Sequence, residues 1–445
     1  MTADTTAARD FVLRTAREHD VKFIRLWFTD ILGKLKGFAI TADDLEDALD
    51  RGVGFDGSAI DGFARHHESD MRAYPDPATF TLLPWRPRQN AVARMFCDIR
   101  QPRGQTFPGD PRQVLRRNLD RAAEMGFTYN VGAELEFFYL KNASAPELLD
   151  HDGYFDQLSS YPASDLRRET VLNLAEMGIP VKYSHHEGAP SQHEIDLEYT
   201  DALTMADNLM TAKLVIKELA QLQNVYATFM PKPISRVNGS GLHLHQSLFA
   251  GEANRFYDAD DEQYLSMLGK QFIAGLIAHA PEITLVTNQW VNSYKRLIPG
   301  YEAPVYVSWT HVNRSDLIRV PSYERGEEAS IRIEYRSPDP ACNPYLAFSA
   351  MLAAGLKGIE EQYQVPAPVV GNVQEMSPQR RQSLGIRTLP SSLGEAINLA
   401  ETSELLYEAL GDHVFNSLIE NKKLEWDEYR SEVTDYEVSR YLSTL

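Results

Sequence analysis

Two kinds of hydrophobic spacing follow one another along the chain. A stretch at 5–19 brings Phe11, Val12 and Ala16 to one side at helical spacing, and the apolar-rich run 21–28 reads as a strand. A turn at 30–34 leads into a second strand ending at residue 40, and Thr41 caps a short acidic helix that stops at Gly52. Residues 54–63 form a glycine-punctuated loop carrying Asp56 and Asp61, the acidic, proline-containing run 68–77 continues it, and 93–99 returns as a strand. This predicts a small α+β unit of about a hundred residues.

The run 102–109 has the Pro and Gly content of a linker, and Asp110-Pro111 then open a helix that ends at Gly126. Beyond it, strands are predicted at 127–140, 181–186, 194–199, 225–230, 242–249 and 330–336. Helices are predicted at 164–177, 203–221, 261–279, 281–287, 345–362, 393–410 and 413–429. Strands do not alternate regularly with crossover helices, so the larger unit is expected to be an antiparallel-rich sheet decorated by helices. The expected domains are 1–103 and 104–445.

Composition narrows the function. A chain of 445 residues can bury one large or two ordinary cores. No apolar run approaches membrane-spanning length and the first ten residues lack a signal-like core, so a cytoplasmic protein is expected. Cys97 and Cys342 are the only cysteines, too few for a disulfide framework or a thiolate metal site. The net charge of -19 argues against general nucleic-acid binding, and an anionic ligand would need a local concentration of Arg.

Candidate chemistry centres on 231–249. There Asn238, Gly239 and Gly241 let the backbone approach a ligand, and His243, His245 and Ser247 project from one face of a strand. Glu134 and Glu136 share a strand face two residues apart, Glu187 and Glu194 bracket a short loop, and Arg332, Glu334 and Arg336 alternate with bulky residues. Any one pair reads as a solvated strand face; the set of five carboxylates and His243 reads as an oxygen-dominated cation site, favouring magnesium or manganese over zinc. Arg296, Arg314, Arg319, Arg332 and Arg336 concentrate five guanidinium groups nearby, a clamp for phosphate and carboxylate. There is no P-loop.

These residues resemble those of bacterial type I glutamine synthetase along essentially the whole chain. Seven motifs carry the likeness, in the family's order: Phe55-Asp-Gly-Ser58, Glu134-Leu-Glu-Phe-Phe138, His185-His-Glu187 with Gln192-His-Glu194, Asn238-Gly-Ser-Gly-Leu-His243, Pro299-Gly-Tyr-Glu-Ala-Pro304, Asn313-Arg-Ser315, and Arg332-Ile-Glu-Tyr-Arg336 with Asn343-Pro-Tyr345. The resemblance implies an N-terminal β-grasp domain, a catalytic domain on a curved antiparallel sheet surrounded by helices, and a dodecamer of two hexameric rings with active sites between subunits. It implies two divalent cations, one held by Glu136, Glu187 and Glu194 and the other by Glu134, His243 and Glu334. L-glutamate would meet Asn238, Gly239, Arg296 and Arg336, and ATP would meet His245, Ser247, Arg319 and Arg332. Arg314 would contact the phosphoryl group in transfer. Asp56 of a neighbouring subunit, Tyr154 and Glu187 would form the ammonium pocket, and Glu302 the flap over it.

The resemblance also marks departures. Ala59 stands where many members have Ser, and Lys182 where an acidic residue is frequent near the nucleotide. Gln374 replaces the tyrosine of adenylylated relatives, which predicts no control by that modification, and Arg65 stands where some relatives use an Arg for feedback inhibition. The expected activity is ATP-dependent ligation of ammonia to glutamate through γ-glutamyl phosphate. The alternatives are the same chemistry on a larger amine, for which Ala59 leaves room, or an inactive homologue, which would have lost ligands that are all present here.

Overall fold

The computed structural model describes residues 3–58, 60, 70–157, 162–313, 315–322 and 326–445. Ala59, Asp61, Arg65 and Arg314, singled out above, lie outside the described residues. Helix α1 (Ala3–Glu18) precedes β1 (Val21–Thr29), β2 (Leu35–Thr41), α2 (Leu45–Arg51), β3 (Val53–Asp56), β4 (Asp70–Pro75), β5 (Thr81–Leu82) and β6 (Ala91–Arg100). Their sheet runs β2-β1-β6-β4-β3, with β5 also on β6, and β1 is parallel to β6. Where the sequence predicts loop at 54–63 and 68–77, the chain forms the β3–β4 pair. The glycines and prolines read as breakers, but Met71 and Ala73 alternate inward and are buried, and Pro75 stands at the last position of its strand, where the missing donor interrupts little of the ladder.

The second sheet begins after α3 (Pro111–Glu124) with β7 (Thr128–Leu140), and α4 (Ala163–Glu176) leads to β8 (Val181–His186) and β9 (Gln192–Asp201). Next come α5 (Ala202–Leu222), β10 (Tyr226–Thr228), β11 (Leu242–Ala250), β12 (Ala253–Asn254), α6 (Met267–Thr287) and α7 (Ser293–Arg296). Strands β13 (Trp309–Thr310), β14 (Ile318–Arg319) and β15 (Ile333–Tyr335) precede α8 (Pro344–Glu360). The order is β13-β14-β15-β11-β7-β9-β8, antiparallel apart from the β13–β14 pair. Leu135 and Phe137 of β7 and Leu242, Leu244 and Leu248 of β11 are buried in one core with α3, α5, α6 and α8.

Two helix predictions fail for visible reasons. Pro281 does not split α6, because Arg387 donates to the Ile277 carbonyl, at 2.6 Å, that the missing proline N–H leaves free. The run 393–410 is two helices, Leu393–Glu401 and Glu404–Leu410, because the Ser403 hydroxyl caps the second by accepting from Leu406 N at 3.0 Å. Strand 330–336 shrinks to Ile333–Tyr335, leaving Arg332 and Arg336 at its ends.

A buried guanidinium helps tie the first sheet to the helices. Arg112 of α3 donates to Asp76 at 2.8 Å and Asp98 at 2.6 Å on the first-sheet side, and to Asp207 of α5 at 3.1 and 2.9 Å. Asn343 Nδ2 donates to Asp30 O at 3.1 Å, across a contact so close that a Cβ on Gly33 (φ +75) would lie 2.8 Å from Asn343 Cα. Burial alone would raise the Asp76 carboxyl, but Arg112 and Arg116 outweigh it and hold it below its ordinary value. This stabilisation is present above the unfolded value of ~3.9 and is lost as pH falls through the lower folded-state value. Asp76→Asn should therefore lower stability at neutral pH by ~1 kcal/mol in urea titrations, and the difference from the parent should close in acid.

Candidate active site

Cross-strand register collects the carboxylates. Glu134 and Glu136 leave β7 on the face opposite Leu135 and Phe137. Directly across from Glu134 lies His243 of β11, and across from Glu136 lies Glu194 of β9. Glu334 of β15 pairs with His245, one step further along β11. Residues paired across strands share a face, so four strands deliver one cluster, and Glu187 joins it from the turn after β8. All of these except Glu334, which is fully buried, line a cleft of about 800 Å³.

One atom each from Glu134, His243 and Glu334 lie within 4.8 Å of one another, and so do atoms of His185, Glu187 and Glu194. His243 Nδ1 is 2.8 Å and His245 Nε2 2.7 Å from the two oxygens of Glu134. Burial would raise the Glu134 carboxyl, but these imidazoles hold it far below the usual range. Glu334 is fully buried, and against that burial Arg336 holds it down at about 2; Arg319 donates to its other oxygen. In the other half, against burial, the His185 imidazole holds Glu187 below its ordinary value, but its two partners find too little such relief. Burial, then Glu187, pushes Glu136 up to about 8, and burial, then Glu136, pushes Glu194 well above its ordinary value. Buried negative charge beyond what the protein's own cations neutralise, presented by oxygen and imidazole donors, fits a hard divalent ion.

Glu136 is aimed by Gly241 N at 2.8 Å and Gln192 Nε2 at 2.9 Å. A Cβ on Gly241 would lie 2.6 Å from Arg296 Nη2 and 2.9 Å from His243 Nε2, so a larger residue here would have to displace these side chains. The same Gln192 amide donates to Gly239 O at 3.0 Å. Arg296 is 2 % exposed and donates to the carbonyls of Ser337 at 2.6 Å and Arg336 at 3.1 Å. Asn238 Nδ2 reaches Glu302 Oε2 at 3.0 Å. The loop bearing Glu302 is held by Gln374, which also lines the cleft, accepts from Gly300 N at 3.3 Å and donates to Ala303 O at 3.4 Å. Tyr154, half exposed at the rim, stacks on Phe155 and meets the His185 ring edge-on.

A second cavity of about 420 Å³ shares Glu134, Tyr183, Asp196, His245 and Arg332 with the first and adds Lys182 and Tyr199. Arg332 Nε donates to His245 Nδ1 at 3.2 Å, which orients the imidazole. Ser247 is buried and hydrogen bonded to the Tyr199 hydroxyl, so Tyr199 is the residue that lines this cavity. Asp56 ends β3, exposed, with Ser58 N donating to it at 2.9 Å; it is not among the described residues lining its own chain's cleft.

The sequence reading passed over His185, Gln192, Asp196 and Tyr199. His185 and Gln192 lie inside quoted motifs, and the β9 alternation that exposes Glu194 also places Asp196 on the cleft face. Tyr199 had no local signal, because its partner Ser247 is distant in the chain.

A family model described as the glutamine synthetase β-grasp domain matches residues 20–102, and one described as the glutamine synthetase catalytic domain matches residues 108–441. A curated relative named glutamine synthetase from Mycobacterium tuberculosis is 53% identical, covering 98% of this chain and 99% of its own. Another of that name, from Methanosarcina mazei, is 51% identical, covering 98% of each chain. Among solved structures, one described as the GmaS/ADP complex, conformation 1, superposes with a TM-score of 0.88 at 32% identity over 97% of this chain and 99% of its own. The Plasmodium falciparum glutamine synthetase gives 0.88 at 25% identity over 98% of both. With both domain models matched in order and full-length relatives about half identical to it, this chain belongs to the glutamine synthetase family.

Proposed function

We propose that the protein joins ammonia to the γ-carboxylate of L-glutamate at the expense of ATP, through γ-glutamyl phosphate, as a cytoplasmic ligase of nitrogen metabolism. The observation that carries this reading is the single cleft in which two carboxylate clusters face Arg296, Arg319, Arg332 and Arg336 and open onto a second, contiguous cavity. Glu136, Glu187 and Glu194 would hold one magnesium or manganese ion, and Glu134, His243 and Glu334 the other. Bound there, the ions would supply charge neutralisation to the phosphoryl group in transfer. His245, Arg332 and Arg319 would meet ATP, with Ser247 acting by holding Tyr199 and with Arg314 as a further phosphoryl contact. Arg296 and Arg336, with Asn238 and Gly239, would orient glutamate so that its carboxylate oxygen attacks in line. Residues 1–103 and 104–445 are read as the two domains.

Asp56 is read as acting in a neighbouring subunit of a dodecamer, where it and Glu187 attract ammonium beside Tyr154 and take its proton. Glu302 would close over the acyl phosphate and keep water out. Phosphate release with glutamate and ATP, compared for ammonium, putrescine and spermine, tests the reading. Ammonium should give the highest kcat/KM, and a polyamine above it would move the assignment to the larger acceptor.

The Gln374 contacts carry a further expectation. Gln374→Leu keeps the bulk and loses two hydrogen bonds, weakening the closed loop by ~1 kcal/mol. Some acyl phosphate should then go to water, and phosphate released per glutamine formed should rise above parity.

A further inference from the structure

The turn between β8 and β9 presents Glu187 as it begins and Glu194 soon after it ends, yet what holds it is a carboxylate outside the cleft. Asp150, 4 % exposed, lies in the segment after β7. Its Oδ1 accepts from Ser191 N at 2.7 Å and lies 2.9 Å from His186 Nε2. Ser191 returns the grip, its Oγ accepting from Leu149 N at 2.7 Å and Asp150 N at 3.0 Å. His186 Nδ1 is 2.7 Å from the Glu187 carbonyl, which can only accept, so this ring ties Asp150 to the backbone of Glu187. One carboxylate thus clasps both stems of the turn.

Backbone geometry supports the same assignment. Ser191 has φ +65, which costs a residue with a Cβ roughly 1 kcal/mol and persists only where the surroundings over-determine it. The bonds to Asp150 and from Tyr139 N to Ser191 O at 3.0 Å supply that determination. The segment bearing Asp150 continues to Tyr154, and Phe155 N donates to His186 O at 3.0 Å, so the clasp also sets where Tyr154 stands relative to Glu187.

Asp150, His186 and His193 converge closely enough to suggest a third cation site. The proton arrangement opposes it. Arg167 Nη1 lies 2.8 Å from His193 Nδ1 and can only donate, so the His193 proton sits on Nε2, the atom that would have to ligate. Two remaining ligands beside a buried guanidinium do not make a cation site.

We propose that Asp150 is a positioning residue that, through His186 and Ser191, fixes the separation of Glu187, Glu194 and Tyr154 and so sets the affinity of one carboxylate set for its cation. This rests on reading Glu136, Glu187 and Glu194 as a metal set. The test is a Mn²⁺ titration of the full-length assembled protein, free of substrates, followed by electron paramagnetic resonance. Asp150→Asn keeps the volume and an acceptor oxygen but loses the charge that holds His186. Two Mn²⁺ per subunit are expected for the parent, with one of the two weakened ~10–100-fold in the variant and the other unchanged. If Asp150→Asn does not assemble, His186→Asn is read by the same titration, since its amide can replace the bond to Glu187 O but not the one to Asp150. A parent that binds no Mn²⁺ overturns the metal reading and this proposal together. A parent that binds two while both variants keep both affinities, whatever their melting temperatures, overturns this proposal alone.

Discussion

Glu334→Ala is expected to lower kcat by at least ~10³-fold, to remove one of the two Mn²⁺ ions bound per subunit, and to destabilise the fold. Glu334 is fully buried between Arg319 and Arg336, and it shares a cluster with Glu134 and His243. Taking it away deletes a ligand and leaves two guanidinium groups without their counter-charge. Breaking a buried ion pair from one side costs ~3–5 kcal/mol, and the lower end applies because Arg319 is partly exposed and can turn to water. Glu334→Gln separates the two consequences, because it retains most of the volume and an acceptor oxygen while removing the charge a cation needs. Stability should then recover in urea titrations while Mn²⁺ binding and turnover do not. Equal turnover by Glu334→Gln and the parent would remove this residue from the metal set.

Asp56→Ala is expected to cut glutamine formation by ~10²–10⁴-fold, the range for loss of a general base, with ATP binding unchanged. Its effect should cross between chains. Asp56 belongs to the first sheet and is not among the residues lining its own chain's cleft, whereas every carboxylate of the proposed metal sets lies in the second sheet or its turns. When Asp56→Ala subunits are dissociated and reassembled with Glu334→Ala subunits, some sites receive Asp56 from one parent and Glu334 from the other. Random mixing gives about a quarter of the sites both intact halves. Activity reappearing on mixing two nearly inactive proteins would place Asp56 in the neighbour's pocket, and mixtures no better than their components would confine it to its own chain.

Most of the cleft could be read in advance because strands write their facing into sequence. Glu134 and Glu136 alternate with Leu135 and Phe137, and the turn between Glu187 and Glu194 is short enough to bring them back together. What adjacency in the chain does not encode is register, since the pairings of His243 with Glu134 and of Glu136 with Glu194 join residues far apart in sequence. The likeness to known motifs supplied that information, and the strand pairing now gives its physical basis. Local rules failed where a distant partner overrode them: Arg387 lets α6 continue through Pro281, and Met71 and Ala73 recruit an apparent loop into a sheet. Ser247 has the spacing of a cleft residue, yet Tyr199 stands in front of it.

The Arg112 hub has a consequence for the proposed assembly. Arg112 joins the sheet bearing Asp56 to α5, so if Asp56 serves a neighbouring subunit as proposed, a subunit with a slackened hub would keep its own carboxylate pockets while presenting its aspartate poorly to the next. In such an assembly, damage at this joint would be inherited by the neighbour, a defect displaced by one position from the chain that carries the lesion.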